Sequence, residues 1–376
     1  MTSLAGRPLA GDVDALLAAA LAAVDPGAWV RRHVVAEQRC VVIAGERYEL
    51  DAHSRLHVAA VGKAAESTAR ALVVVLGELV TGGVAVIPAP ASVARIGPIE
   101  VVAAGHPLPD AASEHAGRRL LDVSVRAHPG DLVLFAISGG ASALACVPQR
   151  GITLAELRAT TDLLARAGVD IATMNAVRGR LDRCKHGGLV RDCAARAVAL
   201  VLVDVPDGDP RVVGSGPTFA PDRERTDAAI TRAIAIAGAD LPRFVRSALG
   251  RAGEAMPERG CAVHVLGDNA MAVAAARRAA MTRGYAIAEC DPLVGEAREV
   301  GRALGARLAA LARGPRPIAS IVGGETTVTR DGGGRGGRTL ELALAAADAI
   351  AGLDEVALVA FATDGRDGSS DATGAL

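Results

Sequence analysis

The amino-acid sequence predicts a two-domain α/β protein, and three observations carry that expectation. The chain has 376 residues, about twice what one ordinary core organises. Short apolar runs repeatedly end in Gly-rich or acidic segments that lead into helix-like stretches. Aromatic residues make up 2% of a chain that is 51% hydrophobic, so its cores must be built from Val, Leu, Ile and Ala.

The runs can be taken in order. His57–Val61 precedes Gly62-Lys63-Ala64-Ala65, and Leu132–Ile137 precedes Ser138-Gly139-Gly140-Ala141-Ser142. Ala197–Val203 precedes Asp204-Val205-Pro206-Asp207-Gly208-Asp209, and Ala262–Leu266 precedes Gly267-Asp268-Asn269. Ile318–Val322 precedes Gly323-Gly324-Glu325, and Val356–Ala362 precedes Thr363-Asp364-Gly365. Continuous apolar runs with helices between them read as buried parallel strands in βα units. Ligands of open α/β sheets bind at the carboxyl ends of strands, where all six polar segments fall. Ala220–Gly260 is charged, helical in period and punctuated by Pro221, Pro242 and Pro257. We place the domain division there, giving an N-terminal domain of residues 1–250 and a C-terminal domain of residues 251–376. No period of 20 to 50 residues recurs, which excludes a solenoid.

A formal net charge of -1 gives no electrostatic reason to expect nucleic acid or a membrane surface as partner. The six cysteines form no Cys-x-x-Cys pair and read as reduced and mostly buried. The apolar run Ala15–Val24 is too short to span a bilayer, and Asp12 and Asp14 stand where a signal peptide carries basic residues. A soluble, cytoplasmic protein is expected. Lysine occurs only at Lys63 and Lys185 and asparagine only at Asn175 and Asn269. This bias, typical of GC-rich coding, draws attention to the four positions that escaped it.

Gly62-Lys63 puts helix-terminus N–H groups and an ammonium together after a buried strand, which suits an anion. With His57 and Ala64 at the decisive positions it is not a nucleotide P-loop. Ser138-Gly139-Gly140-Ala141-Ser142 suits close approach of phosphate to the backbone and lacks the final glycine of a nucleophile elbow. A basic stretch runs from Asn175 through Arg178 and Arg180 to Lys185-His186-Gly187-Gly188. Asp204, Asp207 and Asp209 crowd the end of a strand, ahead of Gly214-Ser215-Gly216. Carboxylates that close imply a cation, a substrate hydroxyl or a tight turn. Gly332 to Gly337 satisfies G-x-G-x-x-G, but its arginines, Arg335 and then Arg338, fit phosphates or a carboxylate better than a dinucleotide.

Together these motifs resemble the glycerate 2-kinases with a C-terminal MOFRL domain. The similarity runs through Val61–Ala65, Gly105-His106-Pro107-Leu108-Pro109-Asp110, Ile137–Leu144, Val177 to Gly188, Asp204 to Thr218, Gly323 to Glu341 and Thr363–Gly368. The resemblance implies a Rossmann-like N-terminal domain, a smaller α/β domain and a cleft in which ATP phosphorylates the 2-hydroxyl of D-glycerate. It implies Lys63 and Arg338 as catalytic, with Asp204 beside them. Asp204 or Asp209 would hold magnesium or orient the attacking hydroxyl. Substrate and ATP would be met by Gly62, Ser138, Gly139, Gly140, Ser142, Lys185, Ser215, Gly216, Asp268, Asn269, Glu325, Arg335 and Asp364. A monomer or homodimer with ATP, Mg2+ and glycerate as its small-molecule partners is expected.

Three departures stand out. Thr339-Leu340 replaces the family's Asn-Gln, His186 follows Lys185 where the family has glycine, and the family's second domain continues beyond the Asp-Gly motif. The expected C-terminal domain is therefore short. Two other functions compete: a hydroxypyruvate reductase using NAD(P)H, and a kinase-derived protein that binds small acids without turnover.

Overall fold

The computed structural model describes residues 9–205, 208–251, 260–315, 317–329 and 334–376. The motif residues Asp207, Gly332 and Gly333 lie outside the described residues. The chain divides into two compact units. One comprises Pro26–Asp204 and Asp209–Leu266; the other comprises Met1–Asp25, Val205–Gly208 and Gly267–Leu376.

In chain order the elements begin with α1 (Ala10–Ala23) and α2 (Pro26–His33). An antiparallel meander follows, of β1 (Val34–Glu37), β2 (Cys40–Ile43) and β3 (Glu46–Glu49). Then come β4 (Leu56–Val61), α3 (Ala65–Leu76), β5 (Val80–Pro88), β6 (Arg95–Ile96), β7 (Ile99–Ala104), α4 (Ala111–Arg126) and β8 (Leu132–Ile137). Helices α5 (Ala141–Leu144), α6 (Leu154–Arg166), α7 (Ile171–Leu181) and α8 (Gly188–Arg191) lead to β9 (Arg196–Leu202). Helices α9 (Arg223–Ala237) and α10 (Arg243–Leu249) lead to β10 (Ala262–Gly267).

The larger unit is organised by a seven-stranded sheet in the order β10-β9-β8-β4-β5-β7-β6. Strands β9, β8, β4, β5 and β7 are mutually parallel, and β6 runs antiparallel to its neighbour β7. Every residue of β8 is buried, as are five of six in β4. This is what an unbroken apolar run requires when helices cover both faces. From β4 the chain builds outward through β5 and β7, then returns to the other side of β4 to lay down β8 and β9. The direction of winding therefore reverses between β4 and β8, and the carboxyl ends of those two strands form the switch-point crevice of a doubly wound sheet. The strand expected before Asp268 in the C-terminal domain, β10, is the edge strand of this sheet.

The smaller unit contains α11 (Asn269–Thr282), β11 (Ala286–Ile287), β12 (Leu293–Glu296), α12 (Ala297–Leu311), β13 (Ile318–Ala319), β14 (Gly324–Thr327), α13 (Arg338–Ile350), β15 (Ala360–Phe361) and β16 (Gly374–Ala375). Its strands are short and pair two by two: β11 with β13, β12 with β14, and β15 with β16. The apolar runs expected as strands over 318–322 and 356–362 are thus strand only over two residues each. Helix α1 belongs to this unit: Ala20 packs with Ala272 and Ala276 of α11, and Asp12 accepts from the Tyr285 hydroxyl at 2.7 Å. Helices α12 and α13 approach closely because Gly301 and Gly305 leave room for the α13 backbone; a Cβ at Gly301 would lie 2.2 Å from the Leu342 carbonyl oxygen. Among the described residues no single helix is long and apolar enough to cross a membrane.

Candidate active site

At the crevice between β4 and β8 two turns brace each other. Lys63 N–H donates to the Gly139 carbonyl at 2.9 Å, Ser138 N–H donates to the Val61 carbonyl at 3.1 Å, and Ala64 N–H donates to Ser138 Oγ at 3.0 Å. Gly62 is required here. Its φ is +127°, and a Cβ would lie 2.6 Å from the Ser138 carbonyl oxygen, so any side chain would strain the turn and push the strands apart. Gly140, with φ +84°, turns the chain into α5.

Three chemically active side chains converge on the glycine pair. A Cβ at Gly139 would lie 2.1 Å from Asp204 Oδ2; one at Gly140 would lie 3.1 Å from His106 Nε2 and 3.5 Å from Lys63 Cγ. Lys63 and Asp204 are exposed, as groups that meet a ligand must be. His106 is the residue that the motif reading did not single out as a site residue. Its signal was the Gly105-His106-Pro107 segment, and its partner is topology: β7 lies two strands from β4, and nothing in local spacing says that the loop after it returns to Gly140. Asp110 fixes that loop. It caps α4 by accepting from Ser113 N–H at 2.9 Å and also accepts from Gly105 N–H at 3.2 Å. These hydrogen bonds, Ser113's first, hold its carboxyl below the usual range.

The other residues expected in this unit are placed differently. Ser142 Oγ and Ser215 Oγ lie 3.2 Å apart, and Gly216 accepts from Gly187 N–H at 2.7 Å. Lys185 is buried, at 3% exposed. Its ammonium is paired with Asp182 and donates to the Ser142 carbonyl at 3.0 Å. Burial disfavours that ammonium, but the Asp182 carboxylate outweighs it and holds Lys185 above the ordinary lysine value. Asp209 is gripped by its neighbour: Arg211 Nε lies 2.9 Å from Oδ1 and Arg211 Nη2 2.8 Å from Oδ2, and this contact lowers the Asp209 pKa. Among the described residues no cluster of three His, Cys, Asp or Glu could by itself hold a metal.

In the smaller unit, Arg338 opens α13 and its guanidinium pairs with Glu325 of β14. Asp367 caps the same helix, accepting from Thr339 N–H at 3.1 Å and Leu340 N–H at 2.9 Å. Gly337 leaves space for that carboxylate, since a Cβ there would lie 2.2 Å from Asp367 Oδ1. Asp268 caps α11 by accepting from Met271 N–H at 2.7 Å. The Asn269 amide covers Gly323, where a Cβ would lie 1.9 Å from Asn269 Oδ1. Arg335 pairs with Asp371 at 3.0 Å, and Asp364 accepts from Arg366 N–H at 3.1 Å. Asn269 and the Glu325–Arg338 pair therefore flank the Gly323-Gly324 segment, whereas Arg335 and Asp364 sit in separate local contacts.

Comparison with known proteins agrees with a phosphoryl-transfer scaffold of this kind. Residues 12–250 match a family model described as "Domain of unknown function (DUF4147)", and residues 318–376 match the MOFRL family. The Glycerate 2-kinase of Pyrococcus horikoshii is 33% identical over 374 residues, covering 96% of this chain and 84% of that protein. The crystal structure of glycerate kinase from Thermotoga maritima superposes with a TM-score of 0.78 at 30% identity, covering 97% of this chain and 85% of that one. A protein of Agrobacterium vitis, provisionally named a hydroxypyruvate reductase, is 35% identical over 86% of each chain. The chain is a kinase. It belongs to the glycerate 2-kinase family with a C-terminal MOFRL domain.

Proposed function

We propose that the chain is a cytoplasmic enzyme that transfers the γ-phosphoryl group of ATP to the 2-hydroxyl of D-glycerate, giving 2-phosphoglycerate and ADP. The observation that supports this most is the convergence of Lys63, His106 and Asp204 on the Gly139-Gly140 turn at the switch point. In the reaction the glycerate oxygen bonds to the γ-phosphorus as the bond to the bridging oxygen of ADP breaks. Such transfers depend on positioning and charge neutralisation more than on covalent chemistry. Lys63 supplies positive charge to the phosphoryl oxygens and His106 accepts the hydroxyl proton, while Arg338 keeps the catalytic role that the family resemblance implies.

Magnesium fits the donors at this turn in the mode that uses one carboxylate and draws its remaining ligands from phosphate and water. Asp204, exposed and beside Gly139, would hold it; when bound, the ion would neutralise phosphate charge. Lys185 supports Ser142 rather than touching substrate in this reading.

The test is a coupled assay for 2-phosphoglycerate formed from D-glycerate, ATP and magnesium. Product formation is expected; its absence, with NAD(P)H consumed in the presence of hydroxypyruvate, would replace this reading with the reductase that the Agrobacterium name indicates. Ligand-induced thermal stabilisation without either turnover would leave the non-catalytic binder.

A further inference from the structure

Asp182 is the one acid in the basic stretch from Asn175 to Gly188, and the reaction described above makes no use of it. It is 1% exposed, and Lys185, its partner, 3%. A buried ion pair is a poor device for stability alone. Taking two charges out of water costs about as much as their attraction returns, and apolar side chains of similar volume often do as well. What apolar side chains cannot supply is a directed hydrogen bond.

The bonds of this pair reach α5 from two sides. Asp182 Oδ1 accepts from Cys184 N–H at 2.9 Å and from Val147 N–H at 3.0 Å, just past the end of α5. Asp182 Oδ2 meets the Lys185 ammonium, which donates to the Ser142 carbonyl within α5 at 3.0 Å. Helix α5 is a single turn of four residues, too short to hold its setting by its own hydrogen bonds, so its neighbours impose it. The segment after Lys185 adds to this grip: His186, Gly187 and Leu189 N–H donate to the Ser215, Gly216 and Pro217 carbonyls at 3.1, 2.7 and 3.0 Å. That loop packs back on α5, with Ser215 Oγ 3.2 Å from Ser142 Oγ and a Cβ at Gly214 only 2.8 Å from Ala141 Cβ. The space walled by Val61, Ala141, Lys185 and Gly214 is about 10 Å³, room for no more than one water molecule. Gly140 opens α5 and has His106 and Lys63 against it, and Gly139 has Asp204. A shift of α5 therefore moves the backbone against which all three reactive groups rest.

We propose that Asp182 is a positioning residue for phosphoryl transfer: through Lys185 it sets the Ser142 carbonyl, and with it the Gly139-Gly140 turn on which Lys63, His106 and Asp204 converge. The kinetic consequence rests on the glycerate reaction proposed above; the effect on the backbone does not.

Lys185→Met/Asp182→Asn removes both charges and the donor to Ser142 while nearly keeping volume, and Lys185→Leu/Asp182→Asn repeats the test with a stem of another shape. Both should unfold near the temperature of the unaltered protein. The kcat for 2-phosphoglycerate formation should fall about tenfold to a hundredfold, the scale of a small misplacement, with the KM for ATP unchanged. Hydrogen exchange is read on the same proteins without substrate. The Ala143 and Leu144 amides, which donate to the Gly140 carbonyl at 3.1 and 3.2 Å, should exchange about tenfold faster or more, while β4 and β8 keep their protection. Full kcat in either folded variant would overturn the assignment, as would unchanged exchange at Ala143 and Leu144. Faster exchange across the whole unit, or a fall in both unfolding temperatures, would assign the pair to folding and overturn it equally. If the unaltered chain forms no 2-phosphoglycerate, the glycerate reading falls, and exchange at Ala143 and Leu144 still decides whether the pair positions the turn.

Discussion

The two lysines of the chain occupy opposite environments in the same unit. Lys63 is exposed at the end of β4, with its stem over Gly140. Lys185 is buried, with its ammonium between the Asp182 carboxylate and the Ser142 carbonyl. In a chain that otherwise uses arginine, the survival of lysine marks places where a compact ammonium is needed in place of a planar fork. That need has two sources. At Lys185 it is a closed space beside a buried carboxylate; at Lys63 it is access to a ligand. Scarcity in the sequence finds both positions and does not separate them, whereas burial does.

The largest expected effect is on Lys185. Lys185→Met leaves Asp182, 1% exposed, as an uncompensated charge among groups that already bond it, the N–H groups of Val147 and Cys184. Breaking a buried pair from one side costs about 3–5 kcal/mol, to be read as a fall in unfolding free energy in denaturant. Removing the carboxylate as well, in Lys185→Met/Asp182→Asn, should recover much of the loss. If Lys185→Met unfolds at the denaturant concentration of the unaltered protein, the buried pair is not what holds this segment.

Lys63→Ala sharpens the other half of the comparison. It should lower kcat by about 10²–10³, the scale of removing one charge-stabilising group from a transition state, while the unfolding midpoint stays put. A loss of stability comparable to that of Lys185→Met, with kcat retained, would exchange the roles assigned to the two lysines.

Next in size is a pH effect beside Lys185. His186 has a folded pKa of about 4 against an ordinary 6.5, so folding favours its neutral form. Its contribution to stability is complete above pH 6.5 and is lost as pH falls toward 4, and the shift corresponds to about 3 kcal/mol. His186→Gln should flatten the dependence of unfolding free energy on pH across that window, whatever it does to the absolute value. An unchanged slope would mean that the imidazole is solvated.

The sequence made the larger sheet legible where a buried strand announces itself. The expected runs over 57–61, 132–137, 197–203 and 262–266 correspond to β4, β8, β9 and β10 within a residue or two. They are apolar on both faces, and a polar break ends each one. It did not predict β5 or β7: Gly82-Gly83 interrupts the first, and no strand expectation covers the second although the Gly105–Asp110 motif follows it directly. In the smaller unit the apolar runs mislead: residues 318–322 and 356–362 carry strand periodicity but pair over only two residues each. The candidate site was legible as motifs and not as partnerships. That Gly139 faces Asp204 and Gly140 faces His106 depends on the order of strands across the sheet, which no local pattern encodes.

The smallest expected effect concerns how His106 is held. Asp110 joins two jobs in one carboxylate, closing the N-terminus of α4 and tying Gly105 N–H back to it. Asp110→Ala removes both and should cost about 1 kcal/mol of stability, the usual value of an N-cap, together with a fall in kcat larger than any change in the KM for ATP. Asp110→Asn keeps an oxygen acceptor at the same point and should restore both properties near neutral pH. The two variants should also differ in acid. The lowered pKa of Asp110 means that its charged form contributes stability above the ordinary aspartate range, and this is lost as pH falls through the lowered value. Asparagine does not titrate, so Asp110→Asn should lack that part of the acid limb. If Asp110→Ala lowers stability while kcat is untouched, the capping role stands and the His106 loop is positioned by something else.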